Sequence, residues 1–192
     1  VDAIYASMVA GRYGVMMDSL AIKKMTKMIT ACRNADGGYS WFPGMESSPA
    51  ISASILEKFG RPGIREFLDS PLLSDIVSTL PETVAYLDSV RFTVSPPYGV
   101  CFVPDPQYVY IRSMYADVPF RPYGLDPDKG FDSKAFALFK KRMRSYMLGQ
   151  RAGGADGQIL SKALRVTVLR NFLSSGSGEK LASEFGIGGN RR

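Results

Sequence analysis

The sequence predicts an all-α chain, an array of helix hairpins, on three observations. Apolar residues recur at i, i+3, i+4, i+7 in several separate stretches, the spacing of one helix face. Prolines head apolar runs, as in Ser48-Pro49 and Ser70-Pro71, where the missing N–H belongs to a helix start. No stretch alternates β-branched and polar residues with a period of two, so no sheet is encoded. There is also no strict internal repeat.

Residues 2–10 form the first predicted helix, with Ile4, Met8 and Val9 apolar and a stop at Gly11 or Gly14. Asp18 or Ser19 then caps a helix whose Met25, Met28, Ile29 and Cys32 mark one face. Lys23, Lys24 and Lys27 lie off that face, and the helix is expected to end at Asn34. Ser48 before Pro49 starts the next, with Ile51, Ile55, Leu56 and Phe59 at helical spacing and Gly60-Arg61-Pro62-Gly63 closing it. Ile64 to Leu68 reads as a turn or two. Ser70-Pro71 opens a run with Leu72, Leu73, Ile76, Val77 and Leu80, and Pro81 opens one with Val84, Leu87 and Val90. A loop over 93–105 contains a short extended segment, Val100 to Val103. Residues 106–116 return to helix, and a proline-rich loop fills 117–130. Phe131 to Leu148 is the longest clear pattern, with Gly149 as its stop and Gly153-Gly154 as a hinge. Asp156 caps the last helix. The domain therefore spans 1–175, and the glycine- and serine-rich 176–192 reads as a flexible tail with at most one turn around Leu181.

The most distinctive stretch is Asp36-Gly37-Gly38-Tyr39-Ser40-Trp41-Phe42-Pro43-Gly44, which holds the only tryptophan. Asp-Gly and Gly-Gly favour a turn, and Pro43-Gly44 stops regular structure again. A rigid loop driving Tyr39, Trp41 and Phe42 into a helical core is the expectation. Trp41→Ala should then cost roughly 3–5 kcal/mol. An aromatic ligand cleft is the second reading of the same rings. Asp36 is expected to bond the backbone of its own turn. Arg112, in a mostly apolar helix, requires a buried carboxylate or carbonyl partner, and a ligand-anion site is the second reading.

The totals exclude more than they assign. At 192 residues the chain buries a substantial core, and 45% apolar with 22% charged residues is ordinary for a globular protein. No apolar run in these residues is long enough to span a membrane, and no signal-peptide pattern is expected within them. The start at Val1 reads as the edge of an excised segment. A net charge of +6 permits an anionic partner. Acidic residues are mixed among the basic ones, however, and Lys140, Lys141, Arg142 and Arg144 read as a solvated helix face, so no nucleic acid is expected. With zero histidines, Ser-His-Asp and Cys-His catalysis cannot be built. Cys32 and Cys101 lack CxxC partners, so no metal is expected, and their redox state stays open. Asp126-Pro127-Asp128 is turn chemistry. No catalytic residue and no cofactor is assigned.

The 36–44 stretch, followed by small and hydroxyl residues and a short amphipathic helix, resembles the thioester-domain region of bacterial alpha-2-macroglobulin-like proteins of the Bacteroidetes type. The resemblance is good over residues 15–60. It extends to Tyr86-Leu87-Asp88 and Tyr108-Val109-Tyr110-Ile111-Arg112-Ser113, and it implies Asp88 as the candidate buried partner of Arg112. More distantly, the Asp-Gly-Gly turn is similar to the repeated motif of terpenoid cyclases, which share the α/α-toroid fold. The resemblance implies an α/α-toroid or an incomplete arc of one. It also implies a periplasmic or envelope location, and a role in protease trapping beside neighbouring domains of a larger chain. The family's Cys-x-Glu-Gln thioester is missing: Cys32 precedes Arg33-Asn34-Ala35, and Cys101 precedes Phe102-Val103-Pro104. The first functional expectation is thus a non-catalytic structural domain of such a protein. Two others stay open, a toroid enzyme acting on an isoprenoid or polysaccharide and a basic helical-repeat binding module.

Overall fold

The computed structural model describes residues 2–16, 18–61, 69–93, 103–149 and 155–187, the last beginning with backbone alone at 155–160. The predicted turn at 64–68, residues 100–102 of the extended segment, Cys101, the Gly153-Gly154 hinge and the Asp156 cap side chain lie outside these residues. Within them the protein is all-helical, with no strand and two isolated bridges, Arg33–Tyr39 and Thr93–Phe131.

The helices are α1 (Asp2–Arg12), α2 (Ser19–Thr30), α3 (Pro49–Gly60), α4 (Ser74–Val77), α5 (Leu80–Phe92), α6 (Asp105–Met114), α7 (Ser133–Met147), α8 (Ala155–Leu173) and α9 (Gly176–Glu184). Three starts follow the capping logic directly. Asp18 Oδ1 accepts the N–H groups of Leu20 and Ala21 at 3.0 Å, and Asp132 Oδ1 does the same for Lys134 and Ala135. Ser48 caps α3 through the Ile51 N–H, with Pro49 in the first turn.

The hub is α6, which packs against α3, α7 and α8, while α5 lies between α3 and α7. At the other end α1 and α4 pack on α2. Seven consecutive α5 residues, 83–89, are buried, so this helix has no wet face and the predicted one-sided pattern understates it. Around α6 the core is aromatic. Phe92 meets Tyr108, Phe136 and Phe139 edge-on at centroid separations of 5.7, 5.0 and 5.2 Å, the geometry ring quadrupoles favour.

Three expectations fail here. The stretch opened by Ser70-Pro71 yields a single helical turn, α4, and the helix proper begins only at Leu80. α2 stops at Thr30 instead of Asn34 and buries Ile22 and Thr26 most deeply; of the predicted face, Met25, Ile29 and Cys32 pack half-buried against the core while Met28 is exposed. Thr26 tolerates burial because its hydroxyl donates to Ile22 O at 2.9 Å. The expected tail contains α9, whose Leu181, Ala182 and Phe185 are buried. Composition misleads at 176–187 because two small residues hold the helix in place. Ser175 caps α9 through the Gly178 N–H at 3.0 Å. A Cβ on Gly178 would lie 2.2 Å from Phe172 O, so only glycine lets α9 close on α8. Phe185 then reaches Phe139 at 5.3 Å.

Candidate functional site

The 36–44 turn joins α2 to α3 and is held by side chains from its own flanks. Asp36 Oδ1 accepts the Gly38 N–H at 2.9 Å and the Ser47 hydroxyl at 2.7 Å. Asn34 Nδ2 donates to Met45 O and Ser47 Oγ, both at 2.9 Å. Backbone bonds from Asn34 N to Gly38 O, Ser40 N to Cys32 O and Ser48 N to Tyr39 O close the loop. Gly37 has φ +87°, and a Cβ there would sit 2.7 Å from Glu82 O; one on Gly38 would meet Ser47 Cβ at 2.6 Å and the Tyr86 ring at 2.8 Å. The paired glycines therefore serve close approach to α5 as well as turning. Arg33 pairs with Glu82 across the same contact.

Tyr39 is the ring that enters the core, fully buried, with its hydroxyl 2.8 Å from Thr79 Oγ1. Thr79 gives its own proton to Ile76 O at 2.6 Å, so Tyr39 is the donor. Burial pushes the Tyr39 phenol above its ordinary range, and it stays protonated.

Trp41 and Phe42 do not follow it. They are 60% and 67% exposed, and Pro43 and Gly44 are exposed with them, which overturns the expectation that these rings fill the core. The physical reason lies at Ser40. Its buried hydroxyl contacts Cys32 O at 3.0 Å and Phe42 O at 2.7 Å. That takes the inward position after Tyr39 and turns the chain outward through 41–44. Trp41 instead borders an apolar groove of about 280 Å³ lined by Met25, Met28, Ile29, Ile51 and Ile55. Cys32, free and half-buried, lies on the same groove.

The structure brings Asp88 and Arg112 together, both fully buried, with Arg112 Nε 3.1 Å from Asp88 Oδ1. The carboxylate also accepts the Tyr108 hydroxyl at 2.7 Å and the Arg121 N–H at 3.1 Å. Arg112 donates to Tyr115 O at 2.8 Å and Val118 O at 3.1 Å. The pair thus ties α5 to α6 and fastens the chain leaving α6 onto both. Burial raises the Asp88 carboxyl above its usual range; Arg112, Tyr108 and the Arg121 N–H pull it back. Burial and the adjacent Asp88 hold the Tyr108 phenol up.

A second charged group was not anticipated. Asp105, in the first turn of α6, pairs with Arg91, and its Oδ2 accepts Arg142 Nε at 2.6 Å. Arg91 lies 4.7 Å above the Tyr108 ring, and desolvation pushes it down to about 10. The only sequence signal was Arg91 near the end of a helix whose neighbouring residues, Ser89, Val90 and Phe92, offer it no counter-charge. Arg142 belongs to the cluster read as a solvated face, and Lys140 Nζ rests 4.9 Å over Phe136. That face is partly engaged.

Two larger clefts complete the surface. One of about 610 Å³ lies between the 116–122 segment, α7 and α9, walled by Phe120, Phe131 and Phe136. Another of about 590 Å³ separates Asp36 and α5 from the 124–130 loop. In that loop Asp126 accepts the Asp128 N–H at 3.0 Å, a local turn bond. Among the described residues no three histidine, cysteine or carboxylate side chains cluster as a metal site, and no helix is long and apolar enough to cross a membrane. No protein-family model, curated protein or solved structure matches the chain.

Proposed function

We propose that the protein is a non-catalytic structural domain of an alpha-2-macroglobulin-like envelope protein, contributing to protease trapping without a thioester of its own. One observation carries this reading: the two segments that bear the resemblance pack directly on each other. Gly37 and Gly38 close against Glu82 and Tyr86 of α5, and α5 is bound to α6 through Asp88 and Arg112. The motif residues Asp36, Gly37, Gly38 and Tyr39 serve as scaffold, each satisfied by internal hydrogen bonds or close packing. In this reading the helices form an arc of an α/α-toroid, the parent resides in the periplasm or outer envelope, and neighbouring domains complete the cage.

The test uses the full-length parent. It is mixed with a broad-specificity protease, and cleavage of a small peptide and a large protein substrate are followed side by side. Trapping predicts loss of activity on the large substrate with the small one spared. Equal activity on both counts against the proposal.

A further inference from the structure

The outward face of α2 has an unusual composition. Leu20, Lys23, Lys24, Lys27 and Met28 fall within about 140° of one another at 100° per residue, and all are exposed. Met28 borders the groove that Trp41 closes, so the face runs on into the Trp41–Phe42 tip. At its other end lies Met16, 95% exposed. The strip extends on the order of 18 Å along a twelve-residue helix.

Two features decide what this strip fits. First, exposed Leu20 and Met28 share this face, Met28 and Trp41 border one groove, and exposed Met16 and Phe42 adjoin the two ends in sequence, more than scattered apolar residues account for. Second, its charge has a single sign. α2 contains no acidic residue, and Asp18, beside it, is committed to capping. None of the three lysines has an ion-pair partner among the described residues. Glu46, the acid nearest the loop tip in sequence, has a partner of its own. Exposed lysines interleaved with Leu20 and Met28 on one helix face, which runs into the groove bordered by Trp41, match the layered chemistry of a bilayer surface: anionic headgroups outside, acyl chains beneath.

We infer that the outer face of α2 and the Trp41–Phe42 tip dock onto an anionic lipid surface. Lys23, Lys24 and Lys27 contact the headgroups while Trp41, Phe42, Met28 and Leu20 enter the interfacial layer. Because the 36–44 turn is fixed by its own hydrogen bonds, the aromatic tip is presented without an ordering step on binding. The inference does not rest on the trapping proposal, since lipid contact is read whether or not the parent inhibits a protease.

Trp41 is the only tryptophan, so its fluorescence reports this surface alone. The intact chain is titrated with vesicles of phosphatidylglycerol and phosphatidylcholine, and with phosphatidylcholine alone. Docking predicts a blue shift and quenching by brominated acyl chains on the anionic vesicles only, reversed by high salt. The triple variant Lys23→Gln, Lys24→Gln, Lys27→Gln should bind about a hundredfold more weakly. An unchanged spectrum on anionic vesicles, equal binding to neutral ones, or full affinity in the triple variant overturns the inference. So does a blue shift that grows with protein concentration without lipid, which assigns the face to a second copy of the chain.

Discussion

Replacing Asp88 by alanine is the most informative perturbation of the core. The carboxylate is fully buried, accepts two hydrogen bonds, from the Tyr108 hydroxyl and the Arg121 N–H, and faces the Arg112 guanidinium as its counter-charge. Its loss leaves two neutral donors without acceptors, each at about 1–3 kcal/mol, and strips a buried cation of its counter-charge. Arg112 keeps its bonds to Tyr115 O and Val118 O, so the cation is not wholly abandoned, and the separate costs do not add. A net loss of about 3–5 kcal/mol is expected, the range for breaking a buried pair from one side. For a chain of 192 residues this lowers Tm by about 6–20 °C. Thermal and urea unfolding followed by far-UV circular dichroism measure it directly. Asp88→Ala combined with Arg112→Met should lose less than the sum of the two single changes, because the stranded charge goes with its partner. A single variant melting within about 2 °C of the parent would refute the account of Asp88 as the joint between α5 and α6.

Gly37→Ala should cost at least about 2 kcal/mol, since it adds a clash with Glu82 O to the left-handed φ. Gly44→Ala, at φ +83° but in open space, should cost about 1 kcal/mol, and equal losses would disprove the docking of the turn on α5. Trp41→Ala, at a site 60% exposed, should lower stability by less than about 1 kcal/mol in urea denaturation. Tyr39→Ala should cost about 3–5 kcal/mol, so the reverse order would restore Trp41 to the core. The Asp88 carboxyl is raised in the folded chain relative to an unfolded value of about 3.9, so across the intervening window the native state holds a proton the unfolded state has lost. The stability it contributes is complete below that window and falls as pH rises through the folded pKa. Asp88→Asn removes that slope, and parallel stability–pH curves for parent and variant would contradict it.

Local chemistry was legible in the sequence, and the reasons are local. Asp18 and Ser48 stand where a helix start leaves N–H groups open, and each accepts them; Asp132 does the same for α7, although the apolar pattern there begins at Phe131. The all-α class follows from apolar spacing that repeats every three to four residues, a property of the chain and not of its neighbours. Asp36 and the glycines announced a turn for the same reason. Arg112 pointed to a buried partner because an apolar helix offers a guanidinium none.

Side-chain destinations were decided by tertiary packing. Tyr39 and Trp41 are equivalent by hydrophobicity and stand two residues apart. Which one enters the core depends on Thr79 and Ser52 arriving from elsewhere, and on Ser40 turning the chain outward. The 176–187 segment looks like a tail until Phe139 and Phe172 supply a surface for Phe185, and Gly178 allows the approach. Asp105 gathers Arg91 and Arg142 from 14 and 37 residues away, a convergence that no spacing rule contains. Class, caps and turn depend on neighbours within one helical turn, so they can be read along the chain. Which rings are buried and which charges meet depends on surfaces contributed by residues far apart in it, and those exist only once the helices have packed.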